Sequence, residues 1–299
     1  MHILLIHQAF MTGDEAGGTR HYELARHLVE RGHRFATIAS TISYLTGQRH
    51  SDRGAPSKSQ EDGIAVYRSY TCPALHRSFV HRVMSFLSFM ASSMLTGIRL
   101  RGVGVVWGTS PPIFQGLSAW FLARWKRVPL VFEVRDLWPA FAVGMGVLRN
   151  PLLIWAAERL ERFLYHHADR IIVNSPAYVD HVQSKEVPVG RVTLVPNGVE
   201  TAMFDPQADG AAVRREFGLD GRFVVLYAGA HGPANDLGVV LQAADRMRDR
   251  SDIVLVLVGD GKEKRNLIHD AEKMVLSNVC FIPAQPKSRM PELLAAADV

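Results

Sequence analysis

The stretch Val195-Pro-Asn-Gly-Val-Glu-Thr-Ala-Met-Phe-Asp-Pro206 separates two segments of this 299-residue chain that share one pattern of apolar runs. Asn197-Gly198 is a turn signal that directly follows the apolar run 192–195. The chain therefore finishes one compact region here and begins another, which predicts domains at 1–205 and 206–299. Two such domains can hold a ligand in a cleft between them.

Short apolar runs alternate with longer amphipathic segments in both halves of the chain. Unbroken apolar runs are typical of strands that are buried on both faces of a parallel sheet. The segments between them space their apolar residues as helices do. The sequence therefore predicts a doubly wound, Rossmann-like α/β fold that occurs twice. The predicted strands are 3–7, 35–40, 64–68, 103–107, 130–134, 170–174, 192–195, 223–227, 253–258 and 279–282.

The composition is that of a globular protein, with 47% hydrophobic and 21% charged residues. Two cysteines, Cys72 and Cys280, do not make a disulfide framework, and a reducing cytosol fits them. The N-terminus lacks the basic region and long apolar core of a signal peptide, which predicts a cytoplasmic protein. No Cys-x-x-Cys or His-x-x-x-His motif is present, so we expect neither a bound metal nor another cofactor.

Positive charge is concentrated in the first domain. Residues 1–205 contain 22 Lys/Arg and 16 Asp/Glu, a net charge of +6, whereas residues 206–299 contain 12 and 13, a net charge of −1. This excess suits an anionic partner such as a phosphorylated lipid or the inner face of the cell membrane, and we expect no nucleic acid. An ordinary basic surface is the alternative.

The segment 83–98 is uncharged and lies between Arg82 and Arg99. It is shorter than the ~20 residues that a bilayer-spanning helix needs, and it is rich in serine. The segment therefore predicts a helix that is buried against the sheet. A helix that rests on the membrane surface is the alternative.

Two motifs of the first domain follow predicted strands and precede helices. Gly17 and Gly18 let the backbone approach a ligand, and the helix start after them attracts a phosphate. Thr109, in Gly-Thr-Ser-Pro-Pro, can donate a hydrogen bond to an acceptor molecule. In both places a simple turn is the alternative.

The run Glu-Val-Arg-Asp-Leu-Trp-Pro, 133–139, follows the predicted strand 130–134. Ligands of doubly wound sheets bind beyond the carboxyl ends of the strands. Arg135 can hold a phosphate, Asp136 can accept hydrogen bonds from sugar hydroxyls, and Trp138 offers a stacking face. The alternative is a structural ion pair of Arg135 with Asp136, beside a tryptophan that fills the edge of the domain.

In the second domain, Gly229 and Gly259 end two predicted strands and can admit a diphosphate to the backbone. His231 can donate to that phosphate, or it is a solvated loop histidine. Lys262 and Lys264 fit as solvated helix charges. Asn235 or Asp236 is expected to cap the helix that follows.

These motifs, in this order, resemble those of the retaining family 4 glycosyltransferases of the GT-B fold, in particular bacterial enzymes of O-antigen, capsule or colanic-acid synthesis. The resemblance implies transfer of a sugar, usually from a UDP-linked donor, to a lipid-linked or glycan acceptor with retention of configuration. The motifs are MHILLIHQAF with GGTR, TSPP, FEVRDLWP, RIIVNSP, VPNGV, YAGAHG, LVGDGKEK and PELLAAADV.

The resemblance also implies a role for each candidate residue. Arg135 and Asp136 would be catalytic. Gly17, Gly18, Thr109 and Trp138 would bind the acceptor or a phosphate, and Gly229, His231, Gly259 and Lys262 would bind the donor. Such enzymes use no protein nucleophile, because the leaving diphosphate helps to deprotonate the acceptor while positive groups stabilise its charge.

The sequence departs from the family pattern in two places. The basic pair that the family carries after the first strand of the second domain is replaced by His231 and by Asn235-Asp236. The acidic element of the family, Glu-x7-Glu, follows an Ala-Asp-Val like the one at 297–299, so we expect the second domain to be incomplete at its C-terminus. A catalytically silent, truncated binding module and a UDP-sugar 2-epimerase of the same architecture remain alternative functions, although the 133–139 run fits an epimerase poorly.

Overall fold

The computed structural model describes residues 1–13, 17–43, 47, 49, 57–73 and 79–299. They form two compact units. The first unit consists of Met1–Phe10 and Arg20–Gly198, and the second of Met11–Thr19 and Val199–Val299. The division at 198 lies inside the stretch that separates the two halves of the sequence.

The first unit is a sheet covered by helices on both faces. Its strands lie in the order β3-β4-β2-β1-β5-β6-β7-β8 and run parallel, except that β3 pairs antiparallel with β4. Its elements are β1 (His2–Ile6), α1 (Arg20–Glu30), β2 (Arg34–Ser40), β3 (Ser57–Glu61), β4 (Ile64–Ser69), α2 (Phe79–Arg99), β5 (Val105–Ser110), α3 (Phe114–Lys126), β6 (Leu130–Val134), α4 (Ala140–Gly144), α5 (Pro151–His167), β7 (Arg170–Val173), α6 (Pro176–Ser184) and β8 (Val192–Leu194).

The apolar side chains of this sheet form one core on each face. Leu4, Ile6 and Phe132 pack with helices α2, α3, α5 and α6, whereas Ile3 and Leu5 pack beneath α1. Alternate residues of β1 therefore enter opposite cores, which is why its sequence is apolar throughout.

Strand β5 ends three residues later than its sequence predicts. The prediction was 103–107, but Thr109 and Ser110 pair with Glu133 and Val134 of β6. Thr109 therefore lies within the strand and not in the turn after it.

The second unit repeats the arrangement with the strand order β11-β10-β9, all parallel. One core lies around Val254 and Val256, and another lies between helices α8 and α9. The prediction of a GT-B-like α/β protein with Rossmann-like sheets is confirmed by these topologies. The elements are α7 (Ala211–Glu216), β9 (Phe223–Ala228), α8 (Gly238–Arg246), β10 (Ile253–Val258), α9 (Lys264–Lys273), β11 (Val279–Ile282) and α10 (Met290–Ala295).

Candidate functional site

The strand register of the first unit brings polar residues together at the carboxyl ends of β1, β5 and β6. Ile6 pairs with Gly108, and Thr109 pairs with Glu133. His7 follows Ile6 directly and therefore lies level with Glu133 across the sheet. Polar side chains from three neighbouring strands meet at this edge, where doubly wound folds bind ligands.

A buried carboxylate, Glu133, organises this cluster. Its Oε2 lies 2.5 Å from His21 Nε2, and its Oε1 accepts a hydrogen bond of 3.0 Å from Arg20 Nε. Burial by itself would raise the pKa of Glu133, but His21 and Arg20 outweigh it and lower the pKa to about 2. The carboxylate is therefore ionised at neutral pH, and its partners compensate for the loss of water.

Arg20 also binds the chain that leaves the first unit. Its two terminal nitrogens donate hydrogen bonds of 2.8 Å to the carbonyl oxygens of Val195 and Pro196. One guanidinium thus joins the start of α1, the carboxylate of Glu133 and the segment after β8. An arginine suits this position because the three nitrogens of its planar guanidinium donate to three different acceptors.

His7 and Arg135 form the second half of the cluster. Arg135 Nη2 lies 3.2 Å from His7 Nε2, and because a guanidinium only donates, His7 Nε2 must accept. His7 is therefore neutral with its proton on Nδ1. Burial, His21 and Arg135 all hold the pKa of His7 well below its ordinary value of 6.5.

His21 stacks near His7, with ring centroids 4.4 Å apart. Burial lowers the pKa of His21, although Glu133 opposes this shift. A neutral His21 donates from Nε2 to Glu133. Within the described part of the chain, the Nδ1 atoms of both histidines and Nε1 of Trp107 are buried without a hydrogen-bond partner.

The two predicted catalytic residues have different environments. Arg135 is half-buried, and its Nε donates a 3.3 Å hydrogen bond to the carbonyl oxygen of Ser110. Asp136 is exposed, and no hydrogen bond joins its carboxylate to another described residue. Partial loss of water raises the pKa of Asp136, against the effect of Arg135. The alternative of a structural ion pair between them is therefore wrong.

The predicted acceptor-binding residues are dispersed. Trp138 packs edge-on against Phe114, with ring centroids 6.0 Å apart. Thr109 is fully buried, and among the described residues its hydroxyl has no hydrogen-bond partner. Gly17 and Gly18 are exposed in the segment that belongs to the second unit. Their binding roles stay predictions.

In the second unit, the loops after β9 and β10 approach so closely that only glycine fits. Gly259 has φ +146°, and a Cβ atom there would lie 1.9 Å from the carbonyl oxygen of Gly229. A Cβ atom on Gly261 would lie 2.4 Å from the carbonyl oxygen of His231. Both predicted donor glycines therefore belong to one tightly packed pair of loops.

His231 is enclosed by these loops. Its ring is fully buried, and neither nitrogen has a hydrogen-bond partner among the described residues. Its backbone is fixed, because its N–H donates to Asp260 and its carbonyl oxygen accepts from Glu263, each at 2.9 Å. Burial and Lys264 lower the pKa of His231, opposed by Asp260, so the ring is neutral. The alternative of a solvated histidine is wrong.

The two lysines of this region differ. Lys262 is exposed. Lys264 is not solvated as predicted, because its Nζ donates to the carbonyl oxygens of Gly259 at 2.6 Å and Ile282 at 3.1 Å. The ammonium group of Lys264 thus satisfies carbonyl oxygens at the carboxyl ends of β10 and β11.

Helix α8 begins at Gly238 with Leu237 in the capping position. No side chain accepts a hydrogen bond from its first turn, so the prediction of a cap at Asn235 or Asp236 is wrong. The N–H groups of Val239 and Val240 donate to the carbonyl oxygens of Asp236 and Leu237, at 3.1 and 3.0 Å. The N–H of Gly238 is the group of the first turn that an anion can satisfy.

Sequence reasoning missed four residues of the first-unit cluster: Arg20, His21, His7 and the carboxylate of Glu133. One signal could have found them. Glu133 interrupts an apolar strand, and a buried carboxylate requires partners of opposite charge. Across the described residues, no group of three His, Cys, Asp or Glu side chains could hold a metal ion.

Two family models match the chain. Residues 16–198 match the glycosyl transferase 4-like domain, and residues 211–299 match the glycosyl transferases group 1. Residues 199–210, which neither model matches, lie in the sequence between the last strand of the first sheet and the first strand of the second.

Curated relatives agree with these matches. The putative colanic acid biosynthesis glycosyl transferase WcaI of Escherichia coli (strain K12) is 27% identical over 287 residues, which are 92% of this chain and 70% of the relative. A D-inositol 3-phosphate glycosyltransferase of Segniliparus rotundus is 31% identical over 62% of this chain and 42% of its own length. A GDP-mannose-dependent alpha-mannosyltransferase of Mycolicibacterium smegmatis is 27% identical over 89% of this chain and 65% of its own length.

Solved structures share the fold. Anabaena HepE in complex with UDP and glucose superposes with a TM-score of 0.69 at 16% identity, covering 100% of this chain and 72% of that one. WaaG, a glycosyltransferase involved in lipopolysaccharide biosynthesis, superposes with a TM-score of 0.68 at 16% identity, covering 99% and 73%. Because the first family model covers more than half of the residues, the chain belongs to the glycosyl transferase 4-like family.

Proposed function

We propose that this protein transfers a sugar, with retention of configuration, from a nucleotide-diphosphate donor to a lipid-linked or glycan acceptor during the synthesis of a cell-surface polysaccharide. Membership of the glycosyl transferase 4-like family supports the reaction type. The similarity to WcaI, whose name refers to colanic acid biosynthesis, supports the process. The proposed place of action is the cytoplasmic face of the cell membrane.

The uncapped start of α8 is the observation that carries this proposal. It follows the carboxyl end of β9, where the 1.9 Å clearance between a Gly259 Cβ atom and Gly229 O leaves room for backbone only. The N–H of Gly238 at this helix start, beside backbone that a ligand can approach closely and at the positive end of the helix dipole, suits a diphosphate. Asn, Asp or Ser usually fills this position when no ligand does.

His231 is proposed as a further donor to the diphosphate. The ring is neutral, so it would supply an N–H group and not a full positive charge. Since the loops enclose it, contact with a phosphate requires the 229–236 segment to open. Lys262 lies in the loop after β10, and its side chain is exposed. It is proposed as a cation that can turn toward the diphosphate.

In the first unit, the proposed roles of Arg135 and Asp136 follow from their hydrogen bonds within the protein. Arg135 is held by His7 and Ser110, which fixes the direction of its guanidinium at the carboxyl ends of β5 and β6, where a phosphate or a developing negative charge would bind. Asp136 is exposed with a raised pKa, which suits hydrogen bonds with sugar hydroxyls.

The proposed donor nucleotide is UDP, which HepE structures contain. GDP is the alternative, since two similar mannosyltransferases are named as GDP-mannose-dependent. Calorimetric titration of the purified chain with UDP, GDP and the corresponding nucleotide-sugars distinguishes them. Release of nucleoside diphosphate only when a lipid-linked acceptor is present would show transfer, whereas acceptor-independent formation of a 2-epimer would show an epimerase.

Gly238→Asp tests the site directly. A carboxylate at this position favours the helix dipole and has room, because the nearest atom to an added Cβ is 3.9 Å away, yet it repels a diphosphate. We expect roughly tenfold weaker binding of the preferred nucleotide without loss of stability. Ala211→Asp, at the start of α7 in the same unit, is the matched control and should leave binding unchanged. Unchanged binding by Gly238→Asp, or no binding of either nucleotide by the unsubstituted chain, would contradict the proposed donor site.

A further inference from the structure

The segment that follows the 133–139 run exposes a group of apolar side chains. Residues 137–157 contain one charged residue, Arg149. Among the helices that the structure describes, none is long and apolar enough to cross a membrane. Single exposed apolar residues are ordinary on a protein surface, but a group of them in one place marks a binding surface. We call six large side chains of this segment, each between 40% and 69% exposed, the 141–155 apolar surface: Phe141, Met145, Val147, Leu152, Leu153 and Trp155.

Hydrogen bonds hold this surface in a defined shape. The chain turns back on α4, because the N–H of Leu148 donates to the carbonyl oxygen of Ala142 at 3.0 Å, and the side chain of Leu148 is buried. The side chain of Asn150 caps α5 by accepting hydrogen bonds from the N–H groups of Leu152 and Leu153, at 2.9 and 3.2 Å. The apolar side chains are therefore presented to solvent by an ordered turn and a capped helix start.

The topology places this surface at the edge of the sheet where Arg135 lies. Strands β6 and β7 are parallel neighbours, so α5, which connects them, must return the chain from the carboxyl end of β6 to the amino end of β7. The first turn of α5, with Leu152 and Leu153, therefore lies at the edge where doubly wound folds bind ligands. Phe141 belongs to the same edge, because its N–H donates at 2.7 Å to the carbonyl oxygen of Leu137, two residues after Arg135.

This edge therefore combines positive charge with an apolar surface. The guanidinium of Arg135 is oriented by His7 and by the carbonyl oxygen of Ser110, and the exposed Arg149 adds a second positive charge within the apolar segment. A guanidinium can hold a phosphate through two parallel hydrogen bonds. The 141–155 apolar surface offers mainly hydrocarbon contact. A ligand that suits both has a phosphate at one end and an apolar chain at the other.

We propose that the 141–155 apolar surface binds the hydrocarbon chain of a phosphorylated single-chain lipid whose phosphate lies at Arg135. This inference rests on the proposed function, because the lipid is the carrier of the lipid-linked acceptor, and it assigns a place on the protein to that carrier. The part of the chain next to the phosphate leaves the bilayer and lies on the protein, so that the phosphate reaches the carboxyl ends of β5 and β6.

Calorimetric titration with isoprenyl diphosphates tests this placement without nucleotide or sugar transfer. The probes are inorganic pyrophosphate, geranyl diphosphate and farnesyl diphosphate, each below the concentration at which it forms micelles. We expect the affinity to rise by about tenfold or more from geranyl to farnesyl diphosphate, because one more isoprene unit is buried on the apolar surface. A chain that transfers sugar to a soluble glycan acceptor but shows no such rise would refute this inference and would leave the proposed function standing.

Leu152→Ser with Trp155→Ser should weaken the binding of farnesyl diphosphate by about tenfold or more and leave that of pyrophosphate unchanged, because only apolar contact is removed. Trp125→Ser is the matched control, because Trp125 is 62% exposed on α3 of the same unit and lies outside the segment. Arg135→Gln should weaken the binding of farnesyl diphosphate by about tenfold, because a charge-assisted hydrogen bond is lost. Circular dichroism and thermal midpoints check that each variant is folded.

Three results would overturn the proposal: an affinity that does not depend on chain length, binding of farnesyl diphosphate that the folded double variant or folded Arg135→Gln leaves unchanged, or equal weakening by Trp125→Ser. Light scattering and vesicle flotation test the other occupants. Dimers or vesicle binding that the double variant abolishes, in a chain that does not bind farnesyl diphosphate, would assign the surface to a second copy of the protein or to a bilayer.

Discussion

The two units place opposite kinds of chemistry at the carboxyl ends of their sheets. In the first unit, Glu133 has Arg20 and His21 as partners, and Arg135 is bonded to His7. In the second unit, the corresponding edge consists of close-packed glycine backbone, an uncapped helix and the buried, unpaired ring of His231. The charged groups of the first edge are paired within the protein, whereas the second edge has no such ionic network; both edges hold buried ring nitrogens without a partner among the described residues.

This difference indicates how each edge is prepared for a ligand. A buried charge network such as that of Glu133 contributes little net stability but fixes its side chains in one arrangement, so that Arg135 is held in place before any substrate binds. Unpaired buried donors cost about 1–3 kcal/mol each unless something binds them. In the second unit the ring of His231 carries such a cost, which hydrogen bonding to a diphosphate would remove. In the first unit the unpaired nitrogens of His7, His21 and Trp107 carry it too, but they lie beside a fixed ionic frame.

Glu133→Ala should have the largest effect, because it leaves two partners in the first unit without their carboxylate. Removal of one member of a buried ion pair typically costs about 3–5 kcal/mol. We expect a decrease of that size in the free energy of unfolding, measured by urea denaturation. Glu158→Ala, at an exposed site on α5, is the control and should change stability by less than about 0.5 kcal/mol. A loss below about 1 kcal/mol for Glu133→Ala would mean that the network is not needed to fix this edge.

The sequence predicted the fold well because its signals are local. Apolar runs marked β1, β6 and β10 within a residue or two, and the turn at Asn197-Gly198 marked the division of the chain. Strand β3, Ser-Lys-Ser-Gln-Glu, has no apolar pattern, since it is an exposed edge strand whose only support is its pairing with β4.

The candidate site was predicted less completely because it depends on register. Arg135 and Asp136 were visible as polar residues after a strand. The environment of Arg135, however, depends on His7, which lies 128 residues away in sequence and two strands away in the sheet. The close approach of Gly259 to Gly229 likewise joins two loops that no sequence spacing connects.

Acid should weaken the first unit through its buried histidines. The folded pKa values of His7 and His21 lie below the ordinary 6.5, so the unfolded chain binds protons first as the pH falls. Stability contributed by the neutral rings is therefore full above pH 6.5 and decreases below it, by up to about 1.4 kcal/mol per pH unit for each histidine. Urea denaturation at several pH values between neutrality and about pH 5, above most carboxylate titration, measures this slope.

The effect is assigned by substitution. His7→Gln keeps an acceptor for Arg135 but removes the titrating ring. It should reduce the change of unfolding free energy with pH by the contribution of one histidine. His269→Gln, on the exposed side of α9, is the control. The groups facing His7 are His21 and Arg135, and both oppose its protonation. An unchanged slope for His7→Gln would show that folding does not lower the pKa of His7, which would contradict the hydrogen bond from Arg135 to a neutral ring.

The smallest expected effect distinguishes a ligand-binding histidine from a packing residue in the second unit. If His231 only fills space, replacement by leucine should be close to neutral for both folding and binding. If its unpaired nitrogens await a diphosphate, His231→Leu should raise the free energy of unfolding by about 1 kcal/mol, because an unsatisfied polar group is removed, and should weaken UDP or GDP binding by about fivefold, because a neutral donor is lost. Stability and binding would then change in opposite directions, which a packing defect cannot produce. Urea denaturation and calorimetric titration of the same preparation measure both quantities. A variant that loses stability while binding the nucleotide as tightly as before would place His231 in the core and would leave the helix start at Gly238 and Lys262 as the proposed phosphate contacts of this edge.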